Sequence, residues 1–222
     1  MIVVIGQPVL RRTEAGAEVA GLPGRIAVAA AAHGHPVELV GTAGEDEAGD
    51  VLLSALAKAG VGHVAVLRKA GVRTPTVVAT DDHADSSVEA PSALDEAESD
   101  FATAAGIAAP LDAGDVDLAL RYLTESAVLV LAGGVDPGVA RVVANAASWA
   151  AARLIVVVPT DEQEPAGLPQ DAIVFAAPDT DPDGVFAAMV GSFAAALDDG
   201  DDPAAAFRSS LDSTGWTLAL AD

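Results

Sequence analysis

Hydrophobic residues in this chain come in short unbroken runs, with helical stripes between them. Ile2–Ile5, Val37–Val40, His63–Leu67, Ala127–Ala132 and Leu154–Val158 are such runs, each bounded by glycine, proline or polar residues. Continuous apolar runs of this length predict parallel strands covered on both faces. Ala20-Gly21-Leu22-Pro23-Gly24 reads as a glycine-broken loop, and Arg25–Ala32 as a helix stopped by Gly34 and Pro36. After Gly44, Asp46 is placed to cap a helix with the stripe Val51, Leu52, Ala55, Leu56 and Ala59, ended by Gly60. A third helix, Asp115–Leu123, leads to the strand at Ala127. Gly133-Gly134 then turns, and Asp136-Pro137 opens a helix to about Ala152. Strand, helix and strand at this spacing make a parallel βαβ unit. Thr74–Thr76, VVAT, the polar DDHADSS and VEA predict a hairpin, whereas residues 91–110 carry no clear pattern.

The pattern therefore predicts an α/β fold with a mostly parallel sheet and helices on both faces. A length of 222 residues, 51% of them hydrophobic, suits a single domain over 1–222 with one sizeable core. The formal net charge of −22 excludes phosphate backbones, so no nucleic-acid partner is expected. It also opposes a nucleotide polyphosphate unless a local positive cluster exists. MIVVIGQ has no basic stretch before its apolar run and reads as a first strand. No run approaches the roughly 18–20 apolar residues that span a bilayer, so a cytoplasmic protein without a membrane partner is expected. The chain has no cysteine, which removes disulfides and thiolate chemistry.

Metal chemistry finds little support. His33 and His35 flank Gly34 without a third ligand, and a helix N-terminus accounts for Glu45-Asp46-Glu47 without a cation. Asp179, Asp181, Asp183 and Gly184 match the opening of a calcium loop, but Val190 holds the twelfth position, where a bidentate Glu is needed. An acidic turn capping a helix over 184–197 explains the same residues. The Gly133-Gly134 pair, outside any phosphate-loop motif, reads as a plain turn.

The stretch from Ala20 to Gly44 resembles the first signature of the PfkB carbohydrate kinases, the family of ribokinase and adenosine kinase. Ala20, Gly21, Pro23, Ala27, Gly34 and Gly44 fit its spacing, while Arg25 stands at the position of a substrate-binding Asn. The block from Gly44 to Val61 continues the likeness to about residue 67. In the family the first strand is followed by an Asn and, two residues later, a sugar-binding Asp; counted from Gly6, those places hold Val9 and Arg11. Between Arg11 and Gly21 the family inserts two strands of a lid. TEAGAEVA is too short for both, so the resemblance implies a ribokinase-like doubly wound sheet with a lid reduced or absent. The hairpin around Val77–Val88 is where a dimer would form; a monomer or homodimer is expected.

The likeness breaks in the last third. The family ends in D-T-x-G-A-G-D-x-F, whose amides hold the transferring phosphate and whose last Asp is the base. Aligned on Phe186, the base position is Gly184, and Asp181-Pro182-Asp183 replaces Gly-Ala-Gly. Alternatively 172–191 matches the strand and P-N-x-x-E segment that positions magnesium, with Asp179 for Asn and Pro182 for Glu. The intervening T-x-G-x-x-G turn has no counterpart under either alignment. The resemblance thus implies a degenerate carbohydrate kinase homologue without phosphotransfer, binding a small, possibly anionic ligand or acting as a scaffold. No cofactor is expected. The alternative is an active sugar or nucleoside kinase using ATP and magnesium. Arg11, Gly21, Gly24 and Arg25 are the candidate substrate-binding residues.

Overall fold

The structure, a computed structural model, describes residues 1–78, 110–134, 136–160, 162–181 and 183–216. Its main sheet is built from β1 (Ile2–Ile5), β4 (Val37–Gly44), β5 (Val61–Gly62), β6 (Val66–Lys69), β8 (Val128–Ala132), β9 (Arg153–Pro159) and β10 (Ile173–Ala177). The order is β10-β9-β8-β1-β4-β5, with β6 also on β4, and every pairing is parallel. Both faces are covered, as continuous apolar runs require. Ile2 and Val4 point to the side of α1 (Leu22–Ala32), α2 (Glu47–Lys58), α5 (Val185–Asp198) and α6 (Pro203–Thr214). Val3 and Ile5 point to the side of α3 (Ala113–Tyr122) and α4 (Pro137–Ala150).

A second sheet stands beside the first. β2 (Val9–Thr13) pairs antiparallel with β3 (Gly16–Ala20) and parallel with β7 (Thr76–Val78). This corrects the expectation that no room remained for two strands before Gly21. The first strand begins at Val9, and a tight turn at Glu14-Ala15 leaves five residues on each side. The pattern hid it because β2 lacks a clean alternation: Leu10 is fully buried, whereas Arg12, two residues on and therefore on the same face, is exposed. The remainder of the predicted hairpin after Val78, and with it the proposed dimer surface, lies outside the described residues.

Other boundaries shift for local reasons. α1 starts at Leu22, not Arg25, because a proline in the first turn sacrifices no hydrogen bond. β4 runs on to Gly44, since Gly41 and Gly44 permit contacts that a side chain would block. A Cβ on Gly41 would lie 2.7 Å from both the Gly6 carbonyl oxygen and Pro8 Cδ. The predicted strand His63–Leu67 is displaced: β5 ends before it at Gly62, a turn occupies 63–65, and β6 starts at Val66. α3 begins two residues before Asp115, capped by Asp112 through the Asp115 amide.

Candidate functional site

In open α/β sheets ligands sit beyond the carboxyl ends of the strands, where strand order reverses. Here that point lies between β1 and β8, and close packing fills it among the described residues. A Cβ on Gly6 would strike the Ala132 carbonyl oxygen and would stand 2.5 Å from Pro23 Cγ. Beside it, Gln7 donates to the Thr42 carbonyl at 2.8 Å and accepts from the Thr42 hydroxyl at 2.6 Å, tying β1 to β4.

The open space lies one layer out. A cleft of about 330 Å³ is bounded by the β2–β3 hairpin, the outward side of α1 and the start of α5. Arg11 and Glu18 enter from the hairpin, where they are directly cross-strand, and Arg25 enters from α1. Val19, Val28 and Ala29 form an apolar floor, and Asp183 and Gly184 close the α5 side. Arg11 Nε stands 3.7 Å from Glu18 Oε1, a loose and solvent-exposed pair that contributes little. Arg25 donates from Nη1 to the Asp181 carbonyl oxygen. Its side chain passes about 4 Å from where a Cβ on Gly184 would stand.

Of the four candidate residues, the structure brings Arg11 and Arg25 to one cleft. Gly21 and Gly24 stand at close packing contacts. A Cβ on Gly21 would lie 2.9 Å from Val9 Cγ2, and one on Gly24 would lie 2.6 Å from Val19 Cγ1. Without side chains at these two positions the hairpin closes directly onto α1.

At the start of α5 the N-cap is Gly184, which has no side chain to offer. Asp181 supplies the missing acceptor. Its carboxylate, 4% exposed, accepts from the Phe186 and Ala187 amides at 3.0 Å each. The acidic turn thus caps the helix, as the sequence implies, but through a residue three places ahead of the N-cap. Asp179 and Asp183 are exposed, so the calcium-like spacing does not gather its carboxylates inward. Pro182 lies outside the described residues. No group of three or more metal-ligating side chains converges among the described residues.

The other singled-out motifs resolve as structure. Asp46 accepts from the Gly49 amide at 2.8 Å, the Thr74 amide at 2.9 Å and the Thr74 hydroxyl at 2.6 Å. Burial alone would raise its carboxyl pKa, but these bonds and Arg68 outweigh burial and hold it below the ordinary range. After Gly133-Gly134, Asp136 takes the Gly138 and Val139 amides, leaving a capped βα turn. His35 bonds Asp198 at 2.9 Å, and the Met1 amine bonds the other Asp198 oxygen at 2.8 Å, at the far end of the α1–α5 pair.

β10 meets α5 through residues 178–184, with no further strand described after β10. A family model described as pfkB family carbohydrate kinase matches residues 8–165. The chain belongs to the pfkB family. No curated protein matches it in sequence. Among solved structures it is similar to Arabidopsis thaliana ribokinase complexed with ribose and ATP, at 15% identity and a TM-score of 0.62, covering 96% of this chain and 90% of that one. It is also similar to an E. coli chain assigned as ribokinase II, at 13% identity and a TM-score of 0.64, covering 94% and 90%. At such identities the likeness speaks for the fold: this pfkB member has the ribokinase-like α/β architecture. No helix among the described residues is long and apolar enough to cross a membrane.

Proposed function

We propose that this pfkB protein binds a small molecule without transferring phosphate to it. The observation that carries this reading is the Asp181 carboxylate seated on the first amides of α5. These donors open the helix that follows the turn aligned with the family's anion cradle, and here an internal anion holds them. A phosphate brought to the same place meets Asp181 inside and Asp183 at the rim. Gly184 at the base position offers no proton acceptor beyond its backbone. Loss of a general base typically forfeits about 10²–10⁴ in rate, and loss of one preorganised donor about 10²–10³.

Titration calorimetry with Mg-ATP tests this directly. The expected dissociation constant is weaker than about 1 mM. A micromolar value overturns the reading and restores ATP and magnesium as cofactors. One observation favours the alternative of a working kinase: Asp183 lines the cleft one residue from the base position. Under that alternative, sugar-dependent ATP consumption is present in the parent protein and lost in Asp183→Ala.

A further inference from the structure

The charges around the cleft do not add to a positive spot. Arg11 and Arg25 are matched by Glu18 and Asp183, two guanidiniums against two carboxylates over an apolar floor. The rest of the protein carries a large negative excess, at −22 overall, which repels a free anion and leaves a net-neutral molecule unaffected. A guanidinium presents five donors and no acceptor, so it takes a carboxylate; Glu18 and Asp183 present only acceptors and take an ammonium. Between them Val19, Val28, Ala29, Ala32 and Ala188 cover one side with small aliphatic groups. Arg11 and Glu18 are held only loosely to each other, so little is lost when a ligand's own charges replace that contact. About 330 Å³ lies within the usual range for small-ligand sites.

We propose that this cleft binds a zwitterion, a small aliphatic α-amino acid whose carboxylate meets Arg11 and Arg25 and whose ammonium meets Glu18 and Asp183. The proposal rests on the small-molecule reading above and names its ligand class. The apolar floor selects a short branched side chain, and the balanced rim selects against compounds carrying one charge alone.

The test uses the full chain, with calorimetry and thermal shift against L-valine, L-leucine, L-alanine, L-valinamide and N-acetyl-L-valine. L-Valine is expected to bind. Removing its carboxylate, as in valinamide, or its ammonium, as in N-acetylvaline, should weaken binding about tenfold or more. Arg11→Ala and Glu18→Gln lie on an exposed hairpin, and each should weaken L-valine by a similar factor while circular dichroism stays unchanged. Equal binding of N-acetylvaline and L-valine would make this an anion site and overturn the zwitterion, leaving the non-phosphorylating reading intact. L-Valine, L-leucine and L-alanine all binding more weakly than about 10 mM, or L-valine binding equally well in Arg11→Ala, would also overturn it. Failure of the non-phosphorylating reading shows separately, in the Mg-ATP titration.

Discussion

α1 and α5 both begin at the cleft, and their first turns settle their orphan amides in different ways. Each has a glycine as N-cap, Gly21 and Gly184, whereas α2, α3, α4 and α6 have Asp46, Asp112, Asp136 and Asp202. α1 places Pro23 in its first turn and carries no acid there, which removes one donor outright. α5 takes a carboxylate from Asp181, outside the helix. The Asp N-caps Asp136 and Asp202 bond amides of their own helices, and Asp46 also holds Thr74. A carboxylate reaching in from an upstream turn also fixes that turn, and its carbonyl then receives Arg25 from α1. Hydrogen bonding at the start of α5 thereby joins both helices at the cleft.

The strongest way to break this pairing is to push the two helices apart. A Cβ on Gly191 of α5 would lie 2.6 Å from Ala29 Cβ and 2.8 Å from the Ala30 amide nitrogen. Gly191→Val is expected to cost about 3 kcal/mol or more, because backbone cannot yield as a flexible side chain does. Urea unfolding reads this as a lower midpoint at unchanged slope.

The next largest effect separates the imported cap from an ordinary one. Asp181→Ala leaves two amides without their acceptor in a buried turn and should destabilise by about 2 kcal/mol, lowering Tm by several degrees. Asp136→Ala, at an exposed cap of the ordinary kind, should cost about 1 kcal/mol. Equal losses in the two variants, measured by the same urea titration, would remove the distinction drawn between the helices.

The smallest effect is expected at the opposite ends of the same helices. Burial alone would raise the Asp198 carboxyl pKa, but hydrogen bonds from the Met1 amine and His35 outweigh burial and hold it below the ordinary 3.8. A depressed folded-state pKa favours the fold above the unfolded value, and that contribution fades as pH falls through the folded one. Asp198→Asn should therefore flatten the dependence of Tm on pH below about pH 4. The flattening is partial, because Asp46 is depressed in the same direction. An unchanged acid limb would argue against the Asp198 cluster.

Much of the fold was legible because its strands are buried on both faces and leave unbroken apolar runs. The caps at Asp46 and Asp136 were legible for a different reason: each acid lies next to its helix, so local spacing reveals it. The hairpin was not legible, since Arg11 and Arg12 interrupt the alternation and only Leu10 is fully buried in β2. Gly21 and Gly24 matched a binding signature, yet they meet Val9 and Val19, a packing demand that spacing cannot distinguish from ligand contact. The acidic turn was readable as a cap, but which of its acids turned inward depended on tertiary placement. That Asp183 lines the same cleft as Arg11 and Glu18 depends on α5 lying against α1, which no local pattern encodes.

The direct passage from β10 to α5 also marks a seam in the chain. Its flanks are anchored independently, by the β9 ladder on one side and by the α1 contact on the other. The entropy of closing a loop grows only logarithmically with its length, so each doubling adds about 0.6 kcal/mol. A compact module grafted after Pro178 and before Asp181 would leave the Asp181 cap in place and load neither anchor. The protein thus offers a natural port for modular insertion next to its cleft.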